Sequence, residues 1–140
     1  ALHHSGTKIT LSSLKRSFGI QEVEKYLREV LPLRAKKFDV FLNDKRITPE
    51  TIIGRHFIFS HKTLYGIVEG EIILAHRSVK KPGLECRVKA VFVKRSLFGV
   101  DPRRHGIQRI AGWVEADFLP ITSSRVDFVR DDPSYKLFEK

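Results

Sequence analysis

The feature that most constrains this 140-residue chain is the density of strand-type sequence in its second portion. Cys86 to Val93 alternates with a period of two. Cys86, Val88, Ala90 and Phe92 fall on one side and Arg87, Lys89, Val91 and Val93 on the other, as in one strand with a buried face. Thr63 to Ala75 carries two apolar stretches around Gly66 and Gly70, either of which can mark a bulge or bend. Lys80-Lys81-Pro82-Gly83 is a strong turn signal. Ile107 to Phe118 reads as a further long strand, and Leu119 to Asp132 as an ordered loop. Asp132 or Asp131 before Pro133 supplies an N-cap carboxylate, and Pro133 a first-turn proline, for a final helix.

The first portion mixes the two periods. Lys8-Ile9-Thr10-Leu11 alternates like a short strand. Val23, Tyr26, Leu27, Val30 and Leu31 then recur at helical spacing, predicting a helix over Ile20–Leu31 that Pro32 bounds. Phe38–Leu42 reads as a strand, Asn43-Asp44 as its turn and Arg46-Ile47-Thr48 as the return. Strand, helix, strand, strand is too little to close a core alone. The expectation is therefore an α+β fold in two parts, residues 1–53 and 54–140.

Composition removes several function classes. The apolar runs, such as Ile72-Ile73-Leu74-Ala75, are too short to cross a bilayer. Cys86 is the single cysteine, which excludes an internal disulfide framework and suits a reducing, cytoplasmic compartment. Its plain reading is a small buried residue of a strand. No GK[ST] loop, GxGxxG, HExxH or CxxC occurs, and His56 and His61 imply no third metal ligand. The chain contains no methionine, which suggests that it is processed or cut from something longer.

The net charge of +10 draws polyanions. Lys94 and Arg95, then Arg103 and Arg104 in the basic loop Phe98–Gly106, combine cations with an aromatic. Such a surface can grip phosphates and stack a base, which is one reading: a basic, non-enzymatic nucleic-acid-binding domain. Its alternative is a solvated loop.

Two separated stretches point elsewhere. Ser5-Gly6-Thr7-Lys8-Ile9-Thr10-Leu11, with the amphipathic helix and Phe38–Ile47 after it, resembles the closing section of a GHKL-type ATPase domain. That family includes gyrase, the large heat-shock chaperone, histidine kinases and MutL. Ile110 to Arg125, with its Asp117-Phe118-Leu119-Pro120 step and Ser124-Arg125 pair, resembles the chaperone's middle-domain segment, although Val126 stands where the chaperone has an acidic residue.

The resemblance implies the end of an ATPase α/β sandwich over residues 1–53 and a strand-rich, transducer-type α+β domain over 54–140. Gly6 would let the backbone approach the nucleotide and Thr7 would offer a hydroxyl near the adenine. Arg125, preceded by Ser124, would reach the terminal phosphate across the domain interface. The family's catalytic glutamate, its metal-binding asparagine and its aspartate-glycine motif are not in these residues. The resemblance therefore implies ATP and Mg2+ bound with an upstream ATPase half, homodimerisation on closure, and no hydrolysis by this chain alone.

Overall fold

A computed structural model describes residues 6–31 and 38–140, so His3, His4, Ser5 and Pro32 lie outside the described residues. Helix α1 spans Ile20–Val30, with Leu31 as its C-cap, and buries none of its residues. Glu24 and Arg28 pair along it at 2.7 Å, and Lys45 also reaches Glu24 at 3.5 Å. Strands β1 (Phe41–Leu42) and β2 (Lys45–Arg46) form a hairpin shorter than the sequence predicts. Its turn residues Asn43 and Asp44 have φ of 48° and 62°, the left-handed pair that matches the twist of a tight hairpin.

The expected strand over Lys8–Leu11 does not form. Residues 6–19 are exposed and outside regular structure, because no neighbouring strand accepts their backbone groups.

Beyond Gly54 the chain builds one mixed five-stranded sheet in the order β3-β4-β7-β5-β6. Its strands are β3 (Gly54–Lys62), β4 (Ile67–Ala75), β5 (Leu84–Val88), β6 (Val91–Ser96) and β7 (Ile110–Glu115). Only the β5–β7 pairing is parallel. Gly66 bends the chain between β3 and β4, whereas Gly70 lies inside β4 opposite Phe59 and Val114. The whole is an α+β fold, rich in strands.

Two expected strands are corrected. Cys86–Val93 is not one strand but the hairpin β5–β6, turning at Lys89-Ala90 with φ of 50° and 63°. Neither residue signals a turn; the turn is held from a distance. Asp117 accepts the Lys89 N–H at 2.6 Å, and Glu115 accepts the Ala90 N–H at 2.7 Å. Ile107–Phe118 likewise divides into a short 3-10 turn, Ile107–Arg109, and β7.

The core occupies one face of the sheet. Cys86, Val88, Val114 and Ala116 pack beneath Leu119, Phe128 and Tyr135, which come from the segment after β7 and from the final helix α2 (Pro133–Phe138). Phe128 stacks on Tyr135 with ring centroids 5.4 Å apart. Of the two aspartates that the sequence offers as the cap, Asp132 takes the place, accepting the Ser134 N–H at 2.8 Å. Cys86 is 1% exposed, as its plain reading required. No helix among the described residues is long and apolar enough to cross a membrane.

Candidate functional site

The segment from Leu119 to Asp132 is a loop closed on itself. Leu119 anchors its start in the core. Ile121 and Phe128 form an antiparallel bridge, the Val129 N–H donates to the Pro120 carbonyl at 2.9 Å, and the Thr122 N–H donates to Asp127 O at 2.9 Å. Between these legs, Ser123 to Val126 form an exposed tip. The Arg125 N–H donates back to Thr122 O at 2.8 Å, which holds Arg125 at a φ of 57°. A left-handed backbone costs a non-glycine residue about 1–2 kcal/mol, so this turn is sustained by the surrounding bonds.

Asp127 fixes the base of the tip. Its carboxylate accepts from Lys94 Nζ at 2.7 Å, from Arg130 at 2.8 Å and from the Phe128 N–H at 2.8 Å. Those donors, Lys94 foremost, hold it well below the usual carboxylate range. Lys94 also donates to the Tyr135 hydroxyl at 3.2 Å and lies over the Phe128 and Tyr135 rings at 5.4 and 5.3 Å. Burial disfavours its ammonium, yet the bonds to Asp127 and Tyr135 outweigh that and leave it above the ordinary lysine value.

One consequence concerns Arg125. A pairing with Asp127, two residues on, is the ordinary fate for an arginine here, but Asp127 is taken by Lys94 and Arg130. The Arg125 guanidinium has no partner among the described residues. Ser124 Oγ lies 3.1 Å from Thr122 Oγ1, beside it. The tip thus offers one un-neutralised guanidinium and serine hydroxyls, a donor set suited to phosphate oxygens.

The other sequence candidates are not gathered there. Gly6 and Thr7 are exposed, and no hydrogen bond among the described residues joins them to the loop. No atom lies within 4 Å of a Cβ placed on Gly6, so nothing in the described structure demands glycine there. The four nucleic-acid candidates separate as well. Lys94 is spent on Asp127, while Arg95, on the opposite face of β6, bonds Glu85 at 2.8 Å and the Gly83 carbonyl at 3.1 Å. Only Arg103 and Arg104 project from the exposed loop after β6. Arg87, expected on the polar side, does face away from the core, but it is 6% exposed and bonded to Glu85 and the Ala90 carbonyl.

A second polar crevice, of about 510 Å3, lies where residues 48–52 cross the sheet. His56 Nδ1 is 2.6 Å from Glu71, its Nε2 is 3.2 Å from the Ile52 carbonyl, and the Trp113 N–H donates to Glu71 at 3.3 Å. Both imidazole nitrogens thus lie within hydrogen-bond distance of oxygen acceptors, and no bond from the ring to Thr48 or Thr51 occurs among the described residues. The contact ties the amino-terminal segment to β4. Sequence reasoning missed it, as it missed the clamping role of Lys94: the partners stand 15 and 33 residues apart, with no local signal.

No group of three His, Cys, Asp or Glu side chains among the described residues is arranged for a metal ion. Set against protein-family models and curated proteins, the chain matches none.

Proposed function

We propose that this chain is the nucleotide-sensing and transducing part of an ATP-dependent machine of the GHKL type. Arg125 is its sensor of the terminal phosphate, and Ser124 supports it. The observation that carries this reading is the contrast within one loop. Asp127 is engaged by Lys94 and Arg130, while the neighbouring guanidinium stands exposed and, among the described residues, unpaired on a tip whose legs are fixed. A backbone held in this way presents the guanidinium from a fixed tip, which limits the loop ordering needed on contact with a phosphate arriving from another domain.

The segment bearing Gly6 and Thr7 supports a second packing surface. Ile9, Leu11, Leu14 and Phe18 are 80%, 74%, 59% and 55% exposed, a concentration of apolar side chains that marks a covered surface in the working assembly. Under this proposal residues 1–53 complete an ATPase sandwich and residues 54–140 are the transducer. The upstream half supplies the base and the Mg2+ ligands, and closure on ATP pairs two copies in the cytoplasm. Magnesium-bound ATP would supply the hydrolysable γ-phosphate; the role of Arg125 is to bind and orient that group's oxygens.

The test is Arg125→Ala in the full-length protein. ATP turnover or closure should fall tenfold or more, in keeping with the large effect of arginines placed against a transferring phosphoryl group. ATP binding should stay close to the parent's. Unchanged turnover together with unchanged closure refutes the assignment.

A further inference from the structure

Among the described residues, the face of the sheet that carries the core is only half covered. Cys86, Val88, Val114 and Ala116 lie under Phe128, Tyr135 and Phe138. On the same face, Leu84 (two residues before Cys86), Ile110 (four before Val114) and, on neighbouring β4, Ile72 and Leu74 floor an open groove of about 490 Å3. Phe98, packed edge-on against Phe138 at 5.5 Å, forms the wall between the two halves. The register continues the apolar surface outward: Phe57 on β3 stands opposite Ile72 and is 54% exposed.

The charged side chains that flank this groove on its own face of the sheet are cationic. Arg104 and His105 stand at its rim on the loop after β6. Arg55, opposite Leu74 on the same face, marks the β3 side. The one acid of that loop, Asp101, is exposed, accepts the Arg103 N–H at 2.9 Å and does not line the groove. An apolar trough between two cationic flanks complements an object that is apolar below and acidic along its sides. It does not suit a nucleic acid, whose charge would have to lie on the greasy floor.

We propose that this groove docks an amphipathic helix of a partner protein with acidic flanks, which completes the missing half of the layer over the sheet. A helix on one face of a sheet is the ordinary way such a surface is closed. Five strands spaced about 4.8 Å apart span roughly 19 Å, which a helix of about 14 residues crosses. The inference stands on the groove and its flanks and does not depend on the role of Arg125.

The experiment uses this chain and a fluorescein-labelled helical peptide of about 14 residues, leucines on one face and glutamates on the other. Fluorescence anisotropy should show saturable binding that weakens as salt rises from about 50 to about 300 mM. A twin peptide with lysine for every glutamate should not bind. Phe57→Glu, at an exposed position where folding is unthreatened, should weaken the acidic peptide at least tenfold; Ile72→Glu should do the same where its circular dichroism matches the parent. The double reversal Arg55→Glu/Arg104→Glu should exchange the preference, so that the lysine twin binds and the acidic peptide does not. Affinity unchanged in Phe57→Glu, or no exchange of preference in the double reversal, overturns the proposal. So does a duplex DNA probe that binds through Arg55 and Arg104 while the acidic peptide stays free.

Discussion

Replacing Lys94 with methionine isolates the clamp beneath the Arg125 tip. Methionine keeps the apolar stem of the lysine and removes the ammonium that reaches Asp127 at 2.7 Å and the Tyr135 hydroxyl at 3.2 Å. The two side chains of the ion pair are 22% and 29% exposed, so solvent screens the contact only in part. A hydrogen bond between charged groups contributes about 1.5–3 kcal/mol, and the position over the Phe128 and Tyr135 rings about 0.5–1 kcal/mol more. Relief from burying an ammonium offsets part of this, and Asp127 keeps Arg130 and the Phe128 N–H, so no carboxylate is orphaned. The net loss should be about 2 kcal/mol, roughly 30-fold in the folding equilibrium.

Urea unfolding at pH 7 measures that loss, and a double-mutant cycle with Asp127→Asn assigns it to the pair. The pH dependence gives an independent check. Asp127 is held well below the usual carboxylate range, so its contribution is complete above the unfolded value of about 4 and is lost as pH falls toward the folded one. The parent should therefore lose stability below about pH 4, and Lys94→Met should lose less over the same interval. A variant within about 0.5 kcal/mol of the parent, or a cycle with no coupling, would show that the clamp holds nothing.

Two further outcomes follow from the core. Burial pushes the Cys86 thiol up to about 11, and the residue is 1% exposed. Iodoacetamide at pH 8 should accordingly label the folded chain at least ~100-fold more slowly than the urea-unfolded chain, and equal rates by mass spectrometry would contradict the burial. Gly112 has φ of 131° in β7, and a Cβ there would lie 1.9 Å from the Glu71 carbonyl oxygen. Gly112→Ala should cost at least ~3 kcal/mol through strain and overlap together. Gly99→Ala, with φ of 77° but nothing within 4 Å, should cost only about 1 kcal/mol. Similar melting temperatures for the two variants would refute this difference.

What the sequence by itself determined is what local periodicity and capping can carry. Helix α1 follows from apolar residues at helical spacing, and α2 from Asp132 and Pro133, because both signals act within one or two turns of chain. The Asn43-Asp44 hairpin is legible for the same reason: these residues tolerate the left-handed backbone. The buried state of Cys86 follows from alternation, and its exposure bears this out.

Tertiary structure decided the rest. Alternation continues straight through Lys89-Ala90, yet the chain reverses there, since the carboxylates of Glu115 and Asp117 hold the turn from β7 and just beyond it. Conversely, Lys8–Leu11 has the alternation of a strand and forms none, because a strand exists only where another offers its backbone. The site divides in the same way. That Arg125 sits on a loop was readable, but its freedom was not. It depends on Lys94, 33 residues before Asp127, claiming the carboxylate that would otherwise neutralise it.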